Sequence, residues 1–380
     1  MMKDNLPIYL DHNATTPIDK EVKETITNSL DVFGNPSSIH YYGIKAKELI
    51  DSSRQSVASV LSCKKDEIIF TSGGTESNNL AIFGIAILKG KGHIISSSIE
   101  HPSVMMPLKR LRDNGYTVTL LPVDSKGLIN PDDVKKTIKK DTILISIMHA
   151  NNETGMIQPI NEISKIARDK EILFHSDGAQ CVGKIETNMD SLGVDLYTVA
   201  GHKLYAPKGV GAIFLKGGVK ISPFCIGAGH EKGIRPGTEN TIGIVGLGKA
   251  CEIAKRDFAE RYNHNKLLTS RIYESFLSNL SIKLNGSING CLPNTLNVSI
   301  KGISANELVY KLKDKVALSS GSACHSGVCK PSPVLKAMCL SDEDALSAIR
   351  ISTGRGNSLE DINLALKAIY NFIRLGYKKK

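Results

Sequence analysis

From about residue 66 to residue 215 the chain alternates between two patterns. Short runs rich in apolar and β-branched residues, "EIIFTS", "HIISSS", "VTLLPV", "TILISIM", "EILFHSD", "DLYTVAG" and "GAIFLK", have the length and composition of strands. Between several of them lie stretches of helical pattern, "ESNNLAIFGIAILK", "SVMMPLKRLRDNG", "PDDVKKTIKK" and "NEISKIARDK". Strands buried on one face alternate apolar with polar, whereas these are apolar almost throughout. Together with the intervening helices they predict an α/β fold, a mostly parallel sheet covered by helices on both faces.

A long helical pattern with few breaks spans roughly 241–280 and leads into a second unit. Its elements are "TLNVSI", "ANELVYKLKDK", "VALSSGS", "AIRIST" and a final helix, "LEDINLALKAIYNFIRLGY". This predicts a smaller α+β domain that the N-terminal segment joins. The expected boundaries are residues 15–255 for the large domain and residues 1–14 with 256–380 for the small one. A length of 380 residues suits that division.

Composition narrows the class. The chain is 41% hydrophobic and 23% charged, as soluble globular proteins are. Its longest apolar run, "AIFGIAIL", falls well short of the ~18 residues a membrane span needs. The N-terminus "MMKDNLPIYLDHN" has acids and a proline where a signal peptide requires an unbroken apolar stretch, so a cytoplasmic protein is expected. The net charge of +10 is spread along the chain apart from the terminal "YKKK". No nucleic-acid motif accompanies it, and it favours an acidic protein partner over direct contact with RNA or DNA.

Eight cysteines without a CxxC pair are too few for a disulfide scaffold. Cys63, Cys181, Cys225, Cys251, Cys291 and Cys339 read as small buried hydrophobes. Cys324 and Cys329 do not, because they stand in "SSGSACHSGVCKP", a loop of small residues that buries little. Half a metal site, a disulfide and a mobile nucleophile are the three readings of that loop.

In open parallel sheets, ligands bind at the carboxyl ends of the strands, so polar residues placed there matter most. "FTSGGTESNNL" is a strand, a small-residue turn and a helix start. Ser72, Gly73 and Gly74 would let a phosphate approach the free N–H groups, and the Thr75 hydroxyl adds a donor. The Gly-Lys-Ser/Thr ending of a P-loop is absent, and a plain strand-to-helix turn accounts for the pattern equally well. "FHSDGAQ" ends a strand with Asp177, followed by Gln180; an N-cap is the alternative role for the acid. "VAGHKLYAPKG" then supplies His202 and Lys203. A phosphate turn, an acid and a lysine, each at a strand end, are the equipment for pyridoxal 5'-phosphate.

These segments resemble the NifS/IscS-type cysteine desulfurases, fold-type I pyridoxal phosphate enzymes, and their relatives the selenocysteine lyases. The resemblance runs almost end to end through "YLDHNATTP", "NPSSIH", "FTSGGTESNNLAI", "EHPSV", "NNETG", "SDGAQ", "GHK", "RPGTEN", "LPNTLNVS", "SSGSAC" and "IRISTGR". It implies that Lys203 is the Schiff-base lysine, Asp177 the partner of the ring nitrogen and Gln180 the donor to the ring's phenolic oxygen. His101 would stack on the ring and exchange protons with the substrate. Gly74, Thr75, Ala200, Gly201 and His202 would complete the cofactor site, with Thr238 contributed by the other subunit of a homodimer. Asn152 would contact both cofactor and substrate, and Arg350 would grip the substrate carboxylate with its bidentate fork.

The resemblance also makes Cys324 the nucleophile that takes sulfur from L-cysteine and delivers it to an acceptor protein, a task that suits a mobile loop. Against a metal site, Cys-x4-Cys with one histidine lacks a second ligand pair. Cys329 is then an exposed spectator or a relay for the sulfur. Two residues depart from the family pattern. Ala200 stands where relatives have Ser or Thr, removing a phosphate hydroxyl worth roughly 1–3 kcal/mol. Gly178 stands where Ala is usual and is expected to loosen the turn after Asp177. "ACHSG" followed by "PSPVL" resembles the selenocysteine lyase branch, which is the alternative activity. A non-catalytic basic scaffold, the alternative of another class, would not need Lys203, Asp177 and Cys324 together.

Overall fold

The computed structural model describes residues 6–278, 281–321, 323–325 and 328–377; the side chains of 323–325, 328, 329 and 375–377 lie outside the described part. The seven predicted strands form one sheet, in the spatial order Ile68–Thr71, Gly211–Leu215, Leu196–Ala200, Leu173–Asp177, Thr142–Ser146, His93–Ser97, Thr117–Leu121. Gly211–Leu215 runs antiparallel to both neighbours, and the rest point the same way.

The near-continuous apolar runs have a simple cause. Successive residues feed two cores, one on each face, because side chains alternate across a strand. Ile69, Ile94, Leu144 and Leu196 pack under the helices Gly74–Lys89 and Pro102–Asp113. Phe70, Ile95, Ile145 and Tyr197 join the opposite core with the helices Tyr41–Leu61 and Thr241–Arg256. Thr117–Leu121 lies at the sheet edge and is partly exposed.

The helix Tyr41–Leu61 has no counterpart among the sequence-predicted elements. Its buried face combines Ile50, Val57 and Leu61 with the small residues Gly43, Ala46, Ser53 and Ala58, the small ones letting a neighbouring helix come close. A Cβ at Gly248 of Thr241–Arg256 would come within 2.6 Å of the Ser53 Cα, which shows how closely the two helices approach. The long helical pattern after residue 241 is not continuous either. It breaks at Asp257 into Thr241–Arg256 and Phe258–Leu277. Asp257 accepts from Arg256 at 2.7 Å and from Arg355 at 2.9 Å, which ties the break to the C-terminal unit.

That unit holds an antiparallel sheet in the order Ser319–Ser320, Ala348–Ser352, Thr295–Ile300, Ile282–Leu284. Leu268, Ile272 and Phe276 of Phe258–Leu277 pack onto it with Ile362, Leu366 and Ile369 of the last helix. Ile8–Tyr9 pairs in parallel with Val316–Ala317, and Asp11 bridges to Ser352, so the N-terminal segment joins this unit as expected.

The backbone of Ala323–His325 pairs antiparallel with Val328–Lys330, and in that register Cys324 stands opposite Cys329. Both side chains fall outside the described ones. Of the other cysteines, Cys181 and Cys251 are buried and Cys63 and Cys291 half-buried. Cys225 and Cys339 are exposed, contrary to the buried reading. Cys339 sits at φ 64°, where a left-handed turn ends the short helix Pro333–Ala337, and Cys225 lies outside any helix or strand. Among the described residues no helix is long and apolar enough to cross a membrane.

Candidate active site

A cavity of about 720 Å³ opens at the carboxyl ends of the large sheet's parallel strands. Gly74, Thr75, His101, Asn152, Asp177, Gln180, Ala200, His202, Lys203 and Arg350 all line it. Residues scattered over 277 positions of sequence, from 74 to 350, are thus brought into one wall.

The turn after Ile68–Thr71 reaches the helix Gly74–Lys89 through Gly73, whose φ of 150° favours glycine. No side chain caps that helix, leaving its first N–H groups for a ligand. A Cβ at Gly211 would meet the Gly73 backbone at 2.7 Å, so the antiparallel strand is cut back to make room for the turn. A Cβ at Gly74 would stand 3.2 Å from Ala200.

Asp177 is buried at the end of Leu173–Asp177. Its carboxylate accepts from Asn78 Nδ2 at 2.7 Å and from the Ala179 N–H at 3.0 Å. It therefore does not cap a regular helix. The Asn78 Oδ1 is buried without a partner. His101 caps the helix Pro102–Asp113: its Nδ1 accepts from the Ser103 N–H at 3.1 Å. That bond holds the ring with its proton on Nε2 when neutral. Burial lowers the His101 pKa, with Asp177 opposing and Lys203 adding to the effect.

Lys203 follows Leu196–Ala200 in a single tight turn, Gly201–Lys203. Its Nζ donates to the carbonyls of Asn13 at 2.6 Å and Ala14 at 2.7 Å. Burial first, then the Arg350 charge, pulls it down to about 8, against the opposing pull of Asp11 and Asp177. His202 is held by Thr15 Oγ1 at 3.2 Å and is lowered to about 4, chiefly by burial. Arg350 pairs with Asp11 at 2.6 Å and donates to the Asn152 carbonyl at 3.0 Å, while its Nε is buried without a partner.

Two expectations, those for Gly201 and Gly178, need amendment. Gly201 does not line the cavity; its N–H donates to the Val210 carbonyl and its own carbonyl accepts from Leu204 and Ala206, so it shapes the lysine turn instead. Thr238, expected to act from the other subunit, is exposed and does not line this chain's cavity. Gly178 does not loosen its turn. A Cβ there would overlap the Tyr197 ring at 2.0 Å, so the tyrosine fills the space, anchored by its hydroxyl 2.7 Å from His149 Nδ1. The side chain of Cys324 cannot be placed against the cavity, being outside the described ones.

Sequence reasoning assigned no role to Asp11, Asn13, Asn78 or Lys184. Asn13 is the hub: its carbonyl accepts from Lys203 and Gln180, and its side chain meets Lys184, Asn294 and Thr295. The segment "YLDHNATTP" carries the signal, since it is polar where a strand has just ended.

The aminotransferase class-V family matches residues 8–364. The chain belongs to the class-V aminotransferase family. Among curated relatives, a protein named cysteine desulfurase IscS from Dictyoglomus turgidum is 45% identical over 374 residues, covering 96% of this chain and 94% of that protein. One of the same name from Aeromonas salmonicida is 43% identical, covering 97% and 93%. A solved NifS-like protein superposes with a TM-score of 0.91 at 36% identity, over 97% of this chain and 100% of that one. Class-V enzymes of this kind use pyridoxal phosphate, and the cavity's donor set fits it. The uncapped glycine turn suits the phosphate, buried Asp177 the ring nitrogen and Lys203 the aldehyde. Asn78 Oδ1 and Arg350 Nε are buried polar atoms still lacking partners in the same region.

Proposed function

We propose that this class-V chain is a pyridoxal phosphate-dependent cysteine desulfurase. It converts L-cysteine to L-alanine and leaves the sulfur as a persulfide on Cys324. An acceptor protein then takes that sulfur for iron–sulfur cluster assembly or thiolation. The enzyme works as a cytoplasmic homodimer, its parts dividing into residues 15–255 and residues 1–14 with 256–380. The observation that carries the reading is the joint lining of one cavity by Asp177 and a Lys203 amine brought to about 8. The relatives' name favours cysteine desulfurase over selenocysteine lyase.

When bound, the cofactor draws electron density from the substrate's Cα and so weakens the Cβ–S bond. Asp177, oriented by Asn78 and the Ala179 N–H, would hold the ring nitrogen protonated. Lys203 would hold the cofactor and move the substrate's Cα proton; a pKa near 8 lets its Nζ both accept and return a proton. Arg350 and Asn152 orient the substrate carboxylate. His101, neutral with Nδ1 committed to Ser103, takes the thiol proton at Nε2. Cys324 thiolate attacks the substrate sulfur; the S–S bond forms as the C–S bond breaks, and protonation at carbon gives alanine.

Borohydride treatment of the holoenzyme should fix the cofactor covalently to Lys203, and Lys203→Ala should lose that fixation. Incubation with L-cysteine and a thiol reductant such as dithiothreitol, which reduces the persulfide and releases its outer sulfur, should yield alanine and sulfide one for one, and Cys324→Ala should abolish both. Equal fixation in Lys203→Ala, or full alanine release in Cys324→Ala, overturns the assignment.

A further inference from the structure

Lys184 is not part of the chemistry described above, yet it stands against it. Its Nζ donates to Gln180 Oε1 at 2.7 Å and to Asn13 Oδ1 at 3.1 Å. Among the described residues no carboxylate pairs with it. Its surroundings penalise the ammonium, burial first and the Lys203 charge next, and bring it down to about 7. A cation held on amide oxygens alone is costly to keep inside a protein.

We propose that Lys184 is a positioning residue that fixes the Gln180 amide so that an N–H, not the carbonyl oxygen, is offered to the cofactor's phenolic oxygen. The inference rests on the cavity being a pyridoxal phosphate site. A glutamine amide carries one acceptor oxygen and two N–H donors, and either end can be turned toward a neighbour. A lysine ammonium has donors only, so its bond commits the Gln180 oxygen to Lys184. The Asn13 carbonyl has only lone pairs, so it commits one Nε2 hydrogen, at 2.9 Å. The two bonds demand the same orientation, which leaves the second Nε2 hydrogen without a partner among the described residues, on a side chain that lines the cavity. A reversed amide would set its lone pairs against an oxygen that carries negative charge. The ammonium behind the amide also places positive charge on that side, which the phenolic oxygen offsets. The same Nζ steadies Asn13, whose carbonyl receives Lys203. One lysine therefore touches the supports of both the phenolic oxygen and the cofactor-binding amine.

The test compares visible absorbance of the holoenzymes, since that maximum follows the charge on the phenolic oxygen and is indifferent to a purely structural loss. Lys184→Met should bind cofactor fixable by borohydride, yet show its maximum moved in the same direction as in Gln180→Leu. It should also hold the cofactor roughly tenfold more weakly, the scale of one hydrogen bond to a charged group. The double variant Gln180→Leu/Lys184→Met should show no further shift. Lys184→Arg, which keeps donors and charge, should stay close to wild type. If Lys184→Met does not fold, Lys184→Leu, which likewise has no donor, serves as the neutral variant with the same expectation. A wild-type maximum in the neutral variant, or additive shifts in the double, overturns the proposal. Absence of bound cofactor in the wild-type protein would instead overturn the site reading, so the two failures are distinct.

Discussion

Gly178 and Tyr197 form a complementary pair, and their fit has a measurable cost. With the ring 2.0 Å from the position a Cβ would take, Gly178→Ala must displace an aromatic side chain that is fully buried and hydrogen-bonded to His149. Overpacking of this kind costs about 1–3 kcal/mol. Urea unfolding of Gly178→Ala should show that loss, and Tyr197→Met in the same chain should recover most of it, because an unbranched thioether bends out of the way. No recovery would mean the strain lies in the backbone after Asp177. Lys203 gives a second expectation. Only the neutral amine attacks the cofactor aldehyde, and its pKa falls from 10.5 to about 8. Capture of pyridoxal phosphate by the apoprotein should speed up with rising pH through about 8 and then level off; a rate still climbing toward the ordinary lysine value would contradict the burial effect. The site's residues were unequally legible. Asp177 and Lys203 were readable because each follows a strand with little else to explain it. Lys184 was not, since a lone lysine in a sequence reads as a surface charge. Asn13 was not, because its role is carried by a backbone carbonyl that any residue possesses.

At the scale of elements, the strands were legible because the cores on both faces demand apolar residues on both sides of the strand, with polar residues such as Ser97 and Asp177 falling mostly toward the ends. The helix Tyr41–Leu61 was missed because its large buried residues, Ile50, Val57 and Leu61, are widely spaced and the positions between them are small or polar. The pairing of Ala323–His325 with Val328–Lys330 was read only as a loop, since two three-residue runs amid Ser and Gly carry no strand pattern. Its register has a consequence for the sulfur chemistry. Residues opposite each other in an antiparallel ladder have Cα atoms about 4.5–5.5 Å apart, inside the span a disulfide tolerates. Cys324 and Cys329 occupy such opposing positions. After a single pulse of L-cysteine without reductant, a persulfide on Cys324 should decay as Cys329 attacks its inner sulfur. That step forms the Cys324–Cys329 disulfide and releases the outer sulfur as sulfide. Cys329→Ser should keep the first turnover and lengthen the persulfide lifetime several-fold by mass spectrometry. Equal decay in both proteins would return Cys329 to the spectator reading.

For the whole molecule, the site of one chain lacks the phosphate donor expected from Thr238, which is exposed and away from the cavity. Ala200 adds no hydroxyl in its place. The surface also carries a concentration of exposed apolar side chains between residues 30 and 44, including Leu30, Phe33, Ile39, Tyr41 and Tyr42. A patch of that kind marks an interaction surface, and a twofold dimer would both cover apolar surface and let each chain serve its partner's cavity. The proposal that Thr238 acts across the interface is decided by complementation. Lys203→Ala leaves a chain without its own amine but with an intact Thr238. Thr238→Val leaves the amine but removes the hydroxyl, and should weaken cofactor binding roughly tenfold, as loss of one charge-assisted hydrogen bond does. When the two variants are unfolded together and refolded, random pairing makes half of the dimers mixed. If Thr238 acts in trans, each mixed dimer holds one site with both residues intact, because the amine of the Thr238→Val chain meets the Thr238 of the other. At cofactor concentrations too low to saturate Thr238→Val, the mixture should then recover about a quarter of wild-type activity. If Thr238 acts within its own chain, no mixed dimer contains an intact site and the mixture stays at the level of the parents.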